Sequence, residues 1–92
     1  MDRLQAMATF LAVVDAGSLS AASRKLRTPL ATVSRRVSEL EAHLKTRLLN
    51  RTSRRLTLTD SGEAYIQACR RILDQLDEAD VTTPKVSHEE KP

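Results

Sequence analysis

Arginine supplies the chemistry of this 92-residue chain. Arg35 and Arg36 stand side by side in VSRRVSELE between Ser34 and Ser38, and a second group, Arg51, Arg54 and Arg55, surrounds Ser53 in NRTSRR. A guanidinium is a planar fork of N–H donors that matches a phosphate or the O6/N7 edge of guanine, and a nearby hydroxyl can donate to either. Catalytic chemistry has no matching set. His43 and His88 lie far apart, Cys69 is alone, and no nucleophile–base pair, metal-ligand spacing or phosphate-cradling glycine loop occurs. The sequence therefore predicts no enzyme, no cofactor and no metal. The lone cysteine also leaves no internal disulfide framework, which suits a reducing compartment.

Charge is segregated along the chain. The net charge of +3 conceals ten basic side chains between residues 24 and 55 against only Glu39 and Glu41, a local balance of +8, whereas residues 60 to 92 carry four bases and eight acids. One surface lysine or arginine is ordinarily just solvated. Concentrated in a third of the chain, such charge makes a field that attracts phosphate. Only Phe10 and Tyr65 are aromatic, so there is no stacking platform for single-stranded or RNA bases, and duplex DNA is the expected partner.

The elements that hold these residues follow from periodicity. With so few aromatics the core must be aliphatic, which favours packed helices, and the predicted class is mainly α. Asp2 can cap a helix over about 2 to 16 in a box with Gln5, with Leu4, Met7, Ala8, Leu11 and Val14 as its apolar face and Gly17 as its stop. A second, two-turn helix begins after Ser18 or Ser20 and offers Ala21, Ala22 and Leu26 to the core. Thr28 and Pro29 read as N-cap and first residue of a third helix.

On that third helix Leu30, Val33, Val37, Leu40 and Leu44 are spaced 3, 4, 3, 4 and form a buried stripe. At about 100° per residue, Ala31, Arg35, Ser38 and Ala42 fall opposite, with Ser34 and Arg36 on the flanks. Small side chains around one arginine suit insertion into a groove, because little bulk holds the backbone away from base edges. Leu30, Ala31, Thr32, Ser34, Arg35, Arg36 and Ser38 are the candidate DNA residues, with Arg35 as reader and Arg36 as anchor on the DNA backbone. Glu39 and Glu41 mark where the helix leaves the DNA, although Glu39 could instead pair with Arg35 or Arg36. Two short helices and a tight turn make a helix-turn-helix.

Leu48, Leu49, Leu56 and Leu58 bracket a polar cluster, which predicts a two-stranded hairpin, a wing, with Arg51, Ser53, Arg54 and Arg55 at or near its tip; an ordinary charged loop is the alternative. Thr59 or Asp60 then caps a long helix, Glu63 being placed to complete a box with Asp60. Tyr65, Cys69, Ile72, Leu76 and Ala79 recur at 4, 3, 4, 3, and Ile66 and Leu73 widen the stripe. Part of this seam covers the core and the overhang is a dimerisation surface, with Tyr65, Cys69, Ile72, Leu73, Leu76 and Ala79 as its residues. Residues 81 to 92 lack any period and read as a flexible tail. The predicted organisation is a winged helix-turn-helix over 1–58 (three-helix core, two-stranded β wing), a dimerisation or linker helix over 59–80 and a tail over 81–92. No apolar run is long enough to span a membrane and the N-terminus is not that of a secretory leader, so a cytoplasmic location is expected.

The ordered motifs SLSAASRKL, ATVSRRVSELEAHL, RLLNRTSRRLTLT and DSG resemble the N-terminal winged helix-turn-helix domain of LysR-type transcriptional regulators over residues 2 to about 80. The resemblance implies a bacterial DNA-binding domain, dimeric through its last helix, with promoter DNA and RNA polymerase as regulatory partners. It supports Ser34 and Arg35 as groove contacts, Arg51 and Arg54 as wing contacts and Thr59 as cap of the dimer helix. Where many members open the recognition helix with Ser-Gln-Pro or Thr-Gln-Pro, this chain has Pro29, Leu30 and Ala31, and Lys45 stands where glycine is frequent. The expected function is sequence-specific duplex DNA binding as a homodimer, without the effector-binding domain of typical members. The alternative is a protein-interaction module that pairs with a full-length regulator and modulates it.

Overall fold

The computed structural model describes residues 1–51 and 56–83. Helix α1 (Arg3–Ala16) starts where an Asp2 carboxylate oxygen accepts the Gln5 N–H at 3.0 Å and ends at Gly17, whose left-handed φ of 88° lets its N–H return to the Val13 carbonyl. Among the described residues no return bond runs from the Gln5 side chain, so only half of the expected box forms. The buried side of α1 also differs from the expected one. Ala6, Met7, Phe10 and Val13 face the core, Leu11 and Val14 are half-buried, and Leu4 and Ala8 are exposed. α1 is apolar around most of its circumference and packs on three other helices, so its own pattern does not single out a face.

Helix α2 (Leu19–Leu26) is capped by Ser18, whose hydroxyl accepts the Ala21 N–H at 3.0 Å, and it buries Ala22 while Leu26 stays exposed, against expectation. Helix α3 (Leu30–Leu44) begins one residue later than predicted. Pro29, not Thr28, is its N-cap and provides no side-chain bond. Thr28 is instead tied into the end of α2: Arg27 turns left-handed at φ 52°, the Thr28 N–H reaches the Ser23 carbonyl at 3.1 Å and the Thr28 hydroxyl donates to the Leu26 carbonyl. Val33, Val37 and Leu40 are fully buried and Leu44 half-buried, but Leu30, expected in the stripe, is 46% exposed.

Strands β1 (Leu49–Arg51) and β2 (Leu56–Leu58) pair antiparallel with Leu49 opposite Leu58 and Arg51 opposite Leu56, which is the predicted hairpin. Helix α4 (Asp60–Thr82) is capped by Thr59, whose hydroxyl accepts the Gly62 N–H at 2.9 Å. Gly62 thus occupies the position a capping box would give to glutamate, and Glu63 is one residue too late. α4 runs past the expected boundary at 80; the expected tail beyond Thr83 lies outside the described residues.

The core gathers Phe10 and Val13 of α1, Ala22 of α2, Val33, Val37 and Leu40 of α3, Leu48 and Leu49 at the wing base, and Ile66 and Cys69 of α4. Phe10 meets Tyr65 with ring centroids 6.1 Å apart. Beyond Cys69 the helix leaves the core: Ile72 and Leu76 are each 42% exposed, and the chain spans 58 Å along its longest axis against 26 and 21 Å across. An ion pair from Arg70 to Asp15 at 2.8 Å ties α4 to the end of α1 where the two diverge.

Candidate nucleic-acid interface

Helix α3 presents the expected face. Ala31, Arg35 and Ser38 are exposed, with Thr32, Ser34 and Arg36 half-buried beside them. The Arg35 side chain is 64% exposed and touches Glu39 one turn on at 4.0 Å, a solvated i, i+4 contact that leaves the guanidinium free to turn toward a ligand. The exposed Arg24, Lys25 and Arg27 at the end of α2 add positive charge just ahead of α3.

The wing base joins this face directly. Arg51 on β1 donates to the Ser34 hydroxyl at 3.4 Å, so a residue of the hairpin and a residue of the helix expected in the groove are hydrogen-bonded partners. Ser53, Arg54 and Arg55, the other wing residues named from the sequence, lie outside the described residues.

What holds the two elements together is Glu41, which sequence reasoning assigned to the edge of the DNA. The residue is buried instead. One carboxylate oxygen accepts the N–H groups of Leu48 and Leu49 at 2.8 and 3.1 Å, and the Arg47 and Arg51 guanidinium groups stand 3.8 and 4.0 Å from the carboxylate. Two backbone donors entering β1 have no strand partner there, and a carboxylate is the strongest acceptor available to satisfy them. The signal was present in the pattern: four residues after Val37 and one after Leu40, Glu41 lies within about 40° of the buried stripe. A second bond fixes the far side of the wing, where the Thr59 hydroxyl donates to the Arg47 carbonyl at 2.6 Å while it also caps α4.

The residues expected to pair two copies divide into two groups. Cys69 is fully buried within its own core, so it does not belong to an open seam, while Tyr65 is half-buried against Phe10. Burial pushes the Cys69 thiol up to about 11, which keeps it protonated and unreactive near neutral pH. Ile72, Leu76 and Ala79 are exposed and Leu73 is half-buried, so the apolar stripe continues along α4 after the core ends. Among the described residues no single helix is long and apolar enough to cross a membrane.

Comparison with known proteins places this geometry. Residues 4–63 match the family model described as bacterial regulatory helix-turn-helix protein, lysR family. The chain is 56% identical over 82 residues to an HTH-type transcriptional repressor of Pseudomonas aeruginosa, covering 89% of this chain and 26% of the relative. It is 43% identical over 76 residues to the transcriptional activator AaeR of Escherichia coli, covering 83% and 25%. The chain thus spans about a quarter of the length of these curated relatives. Among solved structures, the BenM DNA-binding domain in complex with catB site 1 DNA superposes with a TM-score of 0.83 at 31% identity, covering 88% of this chain and 90% of that one. The CbnR DNA-binding domain bound to DNA gives 0.81 at 32% identity, covering 87% and 91%. With motif order, wing and long closing helix all in agreement, the chain belongs to the LysR family of bacterial helix-turn-helix regulators, a DNA-binding family and not an enzyme family.

Proposed function

We propose that this chain binds double-stranded promoter DNA in a sequence-selective manner as a homodimer in the bacterial cytoplasm. The observation that carries the reading is the Ser34–Arg51 bond, which joins the exposed face of α3 and the base of the wing into one basic surface. That α3 enters the major groove is supported by its small exposed side chains around Arg35, and by the likeness to two domains solved with DNA. Arg35 supplies the fork for guanine, Arg36 and the wing arginines 51, 54 and 55 meet phosphates, and Ser34, Thr32 or Ser38 donate hydroxyls. Arg35→Ala is expected to weaken binding to a selected promoter fragment by about tenfold or more while weakening random duplex only slightly; Arg36→Ala should weaken both alike. A mobility shift against both duplexes checks this. Equal losses on the two duplexes for Arg35→Ala would remove it from the base-reading role.

Pairing through α4 is supported by the exposed Ile72 and Leu76 beyond the core. Two copies joined there would set their α3 helices in successive major grooves about 34 Å apart, which calls for an inverted-repeat site. Ile72→Asp is expected to give monomers by sedimentation at micromolar concentrations where the unmodified chain is dimeric. A monomeric unmodified chain would refute the seam. The same stripe would accept the matching helix of a full-length regulator, the alternative reading; co-purification of mixed dimers from co-expressed chains, with loss of DNA binding, would favour it.

A further inference from the structure

The α2–α3 corner carries an apolar feature that neither the core nor phosphate binding uses. Leu30, first residue of α3, is 46% exposed although its spacing belongs to the buried stripe, and its chain neighbours Pro29 and Ala31, like Leu26 at the end of α2, are exposed too. The position is local in origin: α3 starts at Leu30 with Pro29 as its N-cap, so no preceding helical turn lies under the side chain. A single exposed leucine would need no explanation. This one stands in a stretch of chain whose exposed side chains include Arg24, Lys25, Arg27 and Arg35, a concentration of positive charge that draws in polyanions.

We propose that Leu30, with Ala31 beside it, is a specificity-determining contact for the C5-methyl group of thymine in the major groove. The inference rests on the DNA-binding reading above and deepens it. Residues in the first turn of a recognition helix are the ones that reach base edges. In the major groove thymine is the base that offers an apolar group, the methyl, and aliphatic side chains are its natural partner. Leucine cannot make the bidentate hydrogen bonds by which glutamine selects adenine. The base opposite Leu30 is therefore selected by its methyl group, and hydrogen bonding to that base is left to neighbours.

The test uses the 92-residue chain and the best duplex it selects from a random pool, with each thymine replaced in turn by deoxyuridine. That exchange deletes the methyl and keeps every hydrogen-bonding group of the major-groove edge. Removing a buried methyl should weaken binding about fourfold at one position per half-site. In Leu30→Ala the same exchange should cost under about 1.5-fold, and Leu30→Gln should move the preference there toward adenine. Thermal unfolding of both variants should match the unmodified chain, since the side chain is outside the core. A chain indifferent to every thymine-to-uracil exchange, or a Leu30→Ala variant that keeps the full penalty, would overturn the inference while leaving DNA binding standing. Enrichment of no duplex at all would instead bring down the DNA-binding reading and this inference with it.

Discussion

Gly62→Ala is expected to be among the most damaging single substitutions in the molecule. Gly62 lies in the first turn of α4, and a methyl group added there would penetrate the Leu48 carbonyl and press on the Leu58 side chain. That carbonyl is not free to retreat. It already accepts the Thr59 N–H at 3.0 Å, and Leu48 is itself held by Glu41 from the other side. Glycine is required here by the close approach of two backbones, not by an unusual φ. Overpacking against backbone costs about 3 kcal/mol or more, which for a domain of this size lowers the melting temperature by roughly 15 °C. Circular dichroism melting checks this against Ser61→Ala, which alters an exposed neighbour and should shift the midpoint by only a few degrees. A drop as small for Gly62→Ala would show that Leu48, at the wing base, and α4 can part without cost.

Substitution of Glu41 should separate stability from selectivity. Glu41→Ala strips the acceptor from two buried N–H groups, those of Leu48 and Leu49, and should cost about 3 kcal/mol, at roughly 1–3 kcal/mol for each orphaned donor. Glu41→Gln is gentler. Its carbonyl can replace the oxygen that accepts both N–H groups, but its amide nitrogen then faces Arg51 where a carboxylate oxygen stood, donor against donor. The expected loss is about 1–2 kcal/mol in urea unfolding. On DNA the expected sign is opposite for the two kinds of duplex. Removing one buried negative charge beside Arg47 and Arg51 should raise affinity for random DNA at low salt, while the released Arg51 lowers affinity for the selected site. Competition assays read the ratio directly; an unchanged ratio in a folded Glu41→Gln protein would confine Glu41 to stability.

The sequence made the interface more legible than the packing. Four helix ends were readable because caps are local: Asp2, Ser18, Gly17 and Thr59 act within one turn of their own position, whereas the start of α3 was misplaced because Thr28 is bound back to α2. The face of α3 could be read because its two sides differ sharply in chemistry. α1 could not be read this way, since apolar residues surround it and only contact with α2, α3 and α4 selects Phe10 and Val13 over Leu4. Glu41 and Gly62 were missed for a related reason. A glutamate on a basic helix looks solvated and a glycine after Asp-Ser looks like a turn, and each acquires its role only from a segment outside its own helix, the residues entering the wing for Glu41 and Leu48 and Leu58 for Gly62. In α4 the apolar repeat ran unbroken from Tyr65 to Ala79, and the structure divides it at the point where the core runs out.

The Glu41 carboxylate gives the molecule a fixed gauge. It binds the first residues of the wing to the helix expected in the groove, so the separation between the two is set before any DNA arrives. A loosely tethered wing would adapt to whatever duplex it met and lose conformational entropy in doing so. A clamped one leaves the adjustment to the DNA. On the proposed DNA-binding reading, duplexes whose groove width and bending already match that separation, or whose steps deform cheaply to reach it, would be favoured at base pairs that no side chain touches.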